Sequence, residues 1–579
     1  MKKREKEKQI INVNRLINGI LLSFACVVSI SVLIYNECVI EKEPINTQTF
    51  LQTMDMGTEK FQIGLLNPLE EGRMNDDVII RSWHADAEEG YLYLFLPDSW
   101  RAESVYWVFN LEDSVLIDGS EIKNGSRMNV AEGSHTLELH SGEQYTMDVL
   151  YASNIATLFL ELDEEDLEEI QEDKENIAMG RYTLFGSDGT CDYSGKIETI
   201  SCRGNSSFYE AGGKKSYTIE LEEAVDVWGF GISDKWLLLS NYADKSLLRN
   251  TFINEVANES GMLYTPQMDY VDVYMNGEYA GNYLLSEKLE IDPGRLDVYD
   301  LEEENKYYNA NQKYKYNNKI TENVDGFVEL KWNEMDMEPQ NLRGSYLLEI
   351  DMNSRYKEES SGFVTSRNRA VVIQSPKWAS YNQVKYIAEM YQDFEDAIHS
   401  ADGINPNSQL HYEEYIDIDS FVNHYLIDEI SKQLDAATTS FYLYKPKDSD
   451  KIYAGPIWDY DKSLGSEHLL DSSPGGLYAA QDKTYADVWY ALYSQKDFRK
   501  QVNSVYEGQM RTTALHVCQQ WLPEMTDRIY KSAVMDALRW NTYGSIADVE
   551  RITDLYYDEI SLIQEFTQKR LEFLDKEWK

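Results

Sequence analysis

Along this chain of 579 residues the spacing of apolar side chains changes from the two-residue repeat of strands to the longer repeat of helices, and that order restricts the fold more than any other feature. From about residue 61 to 150 the runs KFQIGLL, DVIIRSWHA, GYLYLFLP, SVYWVFNL, SHTLELH and EQYTMDVLY recur at short intervals between Gly, Asn, Asp and Ser turns. This predicts a small antiparallel β-sandwich over 61–152, with Trp83, Trp100 and Trp107 read as core rather than as a ligand platform. Past Tyr151 the pattern is mixed. A strand and an acidic helix in ATLFLELDEEDLEEIQED are followed by strands at ETISCRG and KSYTIELEE. A helix is expected from near Asp244, its N-cap, with Leu247, Leu248, Phe252 and Val256 at helical spacing and Gly261 as its stop. YVDVYMNGEYAGNYLLSEKLEI reads as a hairpin turning on Asn276-Gly277. Residues 302–324 are poor in aliphatics and read as a polar insertion, GFVELKW and YLLEIDM as further strands, and helices dominate from about 380, ending in a helical tail over 480–579. The expected class is α+β.

The amino terminus carries a basic leader, residues 1–15, and an apolar stretch from Leu16 to Tyr35. Twenty residues at about 1.5 Å each reach about 30 Å, the thickness of a bilayer's hydrocarbon core. Lys2, Lys3, Arg4, Lys6, Lys8 and Arg15 precede the stretch and Glu37, Glu41 and Glu43 follow it, so one N-terminal transmembrane helix with the bulk of the chain outside the cytoplasm is expected. A cleaved signal peptide is the rival, but Tyr35-Asn36-Glu37-Cys38-Val39 offers no small-residue cleavage site. Residues 36–60 are polar and read as a linker.

A net charge of −47, from 54 basic against 101 acidic residues, would repel a polyphosphate backbone and argues against nucleic acid as a partner. Five Cys and eight His occur without zinc-finger spacing or an H-E-x-x-H motif. Cys191 and Cys202 flank a strand-like stretch, and either a disulfide between them or two buried thiols fits that placement.

Chemistry concentrates in IYAGPIWDYDKSLG, where an apolar strand leaves a core through Gly455-Pro456 and ends with Asp459 and Asp461 at alternate positions. Taken alone this is an ordinary acidic turn. Upstream, a helix from about Ile418 ends near Gln433, a loop begins at Asp435, and SFYLYK is a strand that turns back into IYAGPIWDYD. The hairpin brings Asp435 and Asp459 to the same end of two paired strands. Phosphoryl transfer needs such a set, one carboxylate to orient or deprotonate a hydroxyl and others to hold Mg²⁺, and a metal-dependent phosphate-ester hydrolase would use it equally. Arg203 and Lys215 have plain alternatives as an ion-pair partner and an exposed strand residue, and Glu255 lies on a helix from which it would reach Lys215.

RGNSS and KKSYTIEL within 203–221, NYADKSLLRN at 241–250, VDVYMNGEYAGNYLLSEKLE, SFYLYK, PIWDYDKSLG, DFRKQV at 497–502 and MDALRWN at 535–541 together resemble the spore coat protein H (CotH) kinase-like family. The resemblance implies an atypical protein-kinase-like fold over 153–579, a mixed sheet lobe followed by a helical lobe, that uses ATP with Mg²⁺ or Mn²⁺ to phosphorylate Ser or Thr of proteins. It implies that Asp435 is the catalytic-loop aspartate, that Asp459 binds metal with Asp461 as its companion, and that Lys215, or else Lys214, contacts phosphate. Arg203 and Glu287 fall at recurrent family positions near the nucleotide. Ser440 stands where the family commonly has Asn, and a hydroxyl is the weaker ligand for a second Mg²⁺. The implied protein is a membrane-anchored extracytoplasmic kinase of surface or exported proteins, and its acidity suits basic Ser/Thr-rich acceptors. The alternative is an inactive pseudokinase serving as a surface binding or adhesion module. Neither the anchor nor the sandwich is covered by the resemblance.

Overall fold

The computed structural model describes residues 60–578 except 68–77, 86–89, 211, 293–294, 310–317, 470, 482–486 and 545–547. The expected leader, anchor and nearly all of the linker lie outside the described residues, among which no helix is long and apolar enough to cross a membrane.

Residues 63–151 form a four-stranded and a six-stranded sheet that share one core, in which Leu65, Ile80, Phe95, Trp107 and Val149 are buried. Trp100 and Trp107 belong to this core, while Trp83 is half-buried beneath the Arg539 guanidinium, 5.0 Å from its ring centroid. One pair departs from the antiparallel expectation: Gln144–Tyr151 runs parallel to Tyr91–Leu96. A parallel pair needs a long crossover, and the strands between the two supply it.

Residues 156–287 close into a seven-stranded barrel, sealed where Ala156–Leu162 pairs in parallel with Met268–Met275. The lobe expected as a mixed sheet is therefore a closed barrel, and Ile197, Tyr217, Ile219, Trp236 and Tyr283 fill it. Asn276 and Gly277 turn the last hairpin at φ 49° and 84°, the two left-handed positions that Asn-Gly favours. Cys202 packs inside the barrel and is not bridged to Cys191.

A second sheet of seven antiparallel strands follows, in which Tyr346–Asp351 pairs with Phe441–Lys445. Its strands before residue 376 include the expected GFVELKW and YLLEIDM, and from Tyr381 onward helices dominate as expected, interrupted among the described residues only by the strands Phe441–Lys445 and Tyr453–Ala454. Of the supposed insertion, Leu301–Tyr308 is a helix capped by Asp300 and Asn318–Val324 is an edge strand paired with Phe327–Asn333, so its polarity reflects exposure. The helix expected from Asp244 begins at Arg249, because the Asp244 carboxylate accepts from the backbone N–H groups of Ser246 and Arg249 in a turn that precedes it.

The C-terminal helices bind these parts together. On Leu522–Trp540, Ser532 donates to Asp272 of the barrel at 2.8 Å, and Asp536 accepts from the Asn282 N–H at 2.9 Å. On Val549–Trp578, Arg570 donates to the Glu429 carbonyl of the second unit at 2.7 Å.

Candidate functional site

Between the barrel and the second unit lies a cleft of about 530 Å³, lined on one side by Asp435, Ser440, Asp459 and Asp461 and on the other by Arg203. Local structure explains how these side chains meet. The helix Ile418–Ser431 starts on an Asp417 cap and ends at Lys432, which is left-handed at φ 50°, releasing the loop that carries Asp435. Thr439 ties that loop to the sheet by donating to Asp351 at 2.6 Å, and Arg355 donates to Thr439 at 2.9 Å. The strand Phe441–Lys445 pairs with Tyr453–Ala454, and the chain then enters the acidic turn through Gly455, whose φ is 120°. Ala437, Ser440 and Asp459 hold left-handed backbone at φ 52°, 53° and 69°, conformations that cost non-glycine residues about 1–2 kcal/mol each and gather at functional sites.

The turn is held from three directions. Gln433 donates to the Asp459 carbonyl at 2.6 Å, Asn250 accepts from the Tyr460 N–H at 2.7 Å, and Arg249 donates to the Ser463 carbonyl at 2.9 Å. Tyr460 points inward and donates to Asp428 at 2.5 Å, while Trp489 donates to the other Asp428 oxygen at 2.8 Å. Asp459 and Asp461 flank that anchored ring, and Ser440 Oγ lies 3.4 Å from Asp459 Oδ2.

Burial, and then the charge of Asp459, pushes the Asp461 carboxyl up to about 8 and that of Asp435 up to about 6. Lys462 opposes both shifts. Three carboxylates and a hydroxyl form a hard oxygen donor set of the kind that holds Mg²⁺ or Mn²⁺, and a divalent cation would relieve their mutual repulsion. The set is open. Among the described residues the one group of three His, Cys, Asp or Glu ligands with atoms within 4.8 Å of one another is His411, Glu413 and Asp497, outside the cleft. Mg²⁺ is commonly held by one or two carboxylates and keeps water or phosphate oxygens in its other positions, so a cation here would be held by a pair such as Asp459 and Asp461 rather than by all three.

Lys215 and Glu287 do not line the cleft. Lys215 shares strand parity with Tyr217, Ile219 and Leu221, which fill the barrel, and its ammonium donates to the Phe208 carbonyl at 2.5 Å. Glu287 shares parity with Tyr283 and Leu285 and accepts from the Tyr264 hydroxyl and the Gln267 N–H. Lys214 is buried against Asp536, 2.6 Å away. Glu255 gains charge coupling from Glu259 and His516 rather than from Lys215.

Several cleft and supporting residues escaped the sequence reading. Glu349 lies on the cleft wall beside Tyr442, accepts from Gln374 at 2.8 Å and is pushed up to about 7 by burial and by Asp351. Asp428 had a usable signal, a carboxylate within the apolar helix run FVNHYLIDEI. Arg249 and Asn250 had none beyond their place in NYADKSLLRN, since their partners in the acidic turn are more than 200 residues away.

A search of curated proteins finds none that matches. The family model described as CotH kinase protein matches residues 200–574, which takes in Arg203, the Asn250 contact, the Asp435 loop and the acidic turn. With more than half of its length matched across the barrel, the second unit and the C-terminal helices, the chain belongs to the CotH kinase family.

Proposed function

We propose that this chain is a membrane-anchored, extracytoplasmic protein kinase that transfers the terminal phosphate of ATP to Ser or Thr of surface or exported proteins. The observation that carries the reading is the convergence of Asp435, Asp459 and Asp461 in one cleft opposite Arg203. Family membership supports kinase-like chemistry in general. In this reading Asp435 Oδ takes the proton of the acceptor hydroxyl as its oxygen bonds to the terminal phosphorus, and the bond from that phosphorus to the bridging oxygen breaks to leave ADP. A bound Mg²⁺ or Mn²⁺ supplies neutralisation of the phosphate charge, and Asp459 and Asp461, with Ser440 beside them, would hold it. Arg203 adds a fixed cation across the cleft. The negative surface favours acceptor segments rich in Lys and Arg.

The test is incorporation of terminal-phosphate label from ATP by the full chain, with Mg²⁺ or Mn²⁺ and a basic Ser-rich protein as acceptor, beside Asp459→Ala. Transfer by the native chain and its loss in the variant is the expected result. One observation favours a second reading: Ser440 offers Asp459 only a hydroxyl at 3.4 Å where the family carries an amide. A pseudokinase used as a surface binding module would bind no nucleotide, so ATP would leave its melting temperature unchanged.

A further inference from the structure

Both lysines that the family resemblance offers as phosphate contacts, Lys215 and Lys214, are turned away from the cleft and engaged elsewhere. A different lysine stands at the acidic turn. Lys462 directly follows Asp461 and lines the cleft, yet its ammonium is paired 3.1 Å away with Glu210, at the end of the short helix Ser206–Glu210 that follows Arg203. The pair joins the barrel rim to the second unit across 252 residues of sequence. Asp435, Asp459 and Asp461 lie within electrostatic reach of the same ammonium, and none of them is its ion-pair partner.

The other cleft cations are committed differently. Arg203 lies over the Trp458 ring, Arg355 donates to Thr439, Lys174 donates to Asn205, and Lys288 is 3.7 Å from Glu290. Lys462 alone of these adjoins the acidic turn in sequence. Its partner is the weak half of the pair: the Glu210 side chain is 58% exposed and that of Lys462 is 23% exposed, and an ion pair so open to water contributes little. A phosphate, with its fuller charge and three acceptor oxygens, outcompetes a single exposed carboxylate for an ammonium.

We infer that Lys462 is the residue that contacts the nucleotide's phosphates, and that Glu210 is a positioning residue that holds it at the cleft mouth until phosphate displaces the carboxylate. The inference rests on the kinase reading above. It takes a nucleoside triphosphate to be the ligand, and exchange of Lys462 from Glu210 to phosphate involves no bond making or breaking. The exchange would also free the helix Ser206–Glu210 from the acidic turn when nucleotide enters.

Binding of ATP and of adenosine to the full chain by calorimetry, for native, Lys462→Met, Lys462→Arg, Glu210→Gln and the Lys462→Met/Glu210→Gln double variant, tests this. Lys462→Met is expected to weaken ATP about tenfold and Lys462→Arg to stay within about threefold, as for loss and retention of a charged hydrogen bond. Adenosine, which has no phosphate, binds all five alike. Glu210→Gln tightens ATP severalfold in the native background and has no effect in the Lys462→Met background, a coupling that a merely structural surface contact would not produce. Native binding with an unchanged Lys462→Met variant overturns the inference and leaves the kinase reading standing. Equal effects of Glu210→Gln in both backgrounds overturn the role of Glu210. Absence of ATP binding by the native chain overturns the inference and the kinase reading together.

Discussion

Tyr460 carries the dependence of the acidic turn on the core. Its ring is 2% exposed and its hydroxyl donates to a carboxylate, Asp428, that burial pushes up to about 7. Tyr460→Phe leaves that carboxylate one donor short, so a loss of about 1–3 kcal/mol in urea unfolding is expected, together with weaker Mn²⁺ binding because Asp459 and Asp461 lose their fixed neighbour. Unchanged Mn²⁺ affinity at lowered stability would show that the turn keeps its shape without the anchor. Asp435 makes the opposite trade. Its carboxyl is raised to about 6 in the folded chain, so its contribution to stability is full at low pH and is lost as pH rises through about 6. Asp435→Asn removes that loss, so at pH 7.5 its melting temperature is expected to equal or exceed the native value while phosphate transfer falls about 10²–10⁴-fold. Native transfer should rise with pH through about 6 as the base ionises. A flat profile there would exclude Asp435 as the base.

At the scale of elements, the hairpin at Asn276-Gly277 was readable because two left-handed positions in succession demand that dipeptide. Its consequence was not. The Gly277 carbonyl accepts from the Arg81 N–H at 2.8 Å, and a Cβ on Gly277 would stand 3.1 Å from the Ile79 carbonyl oxygen, so the hairpin tip is also the joint between sandwich and barrel. Gly277→Val is expected to cost about 1–2 kcal/mol from backbone strain alone and to be felt in both units, read as a single lowered urea midpoint from Trp fluorescence. Two separated transitions would show that the units unfold independently. The strand expected over IYAGPIWDYD is shorter than its apolar text, and only Tyr453–Ala454 pairs, because Gly455 at φ 120° followed by Pro456 ends the ladder.

For the whole molecule, buried carboxyls set the response to pH. Asp272, Glu349, Glu395 and Asp428 are each pushed up to about 7, and Asp461 to about 8, chiefly by burial. Each folded value lies above the unfolded one, so the folded chain holds more protons and stability falls as pH rises between about 4 and about 8. Depressed carboxyls such as Asp471, at about 2, act only below that window. Scanning calorimetry should therefore show a melting temperature that declines from pH 5 to pH 8. Added NaCl should lift the curve by screening the net charge of −47 without removing its slope, since buried groups are screened little. A melting temperature that climbs over that range would mean the buried carboxyls stay paired and ionised.

The sequence by itself determined the α+β class, the strand-rich sandwich text, the Asn-Gly hairpin and the motifs of the CotH kinase family, because each depends on residues close together in the chain. It also put Asp435 and Asp459 at the same end of one hairpin, whose turn forces neighbouring strand ends to the same side. The tertiary structure alone decided that the first lobe closes as a barrel, that Lys215 and Glu287 are engaged away from the cleft, and that Asn250 and Arg249 hold the acidic turn. The reason is one of range. Periodicity tells which side chains share a face of a strand or helix, but which face meets the cleft is set by pairings between segments hundreds of residues apart, and those leave no local mark.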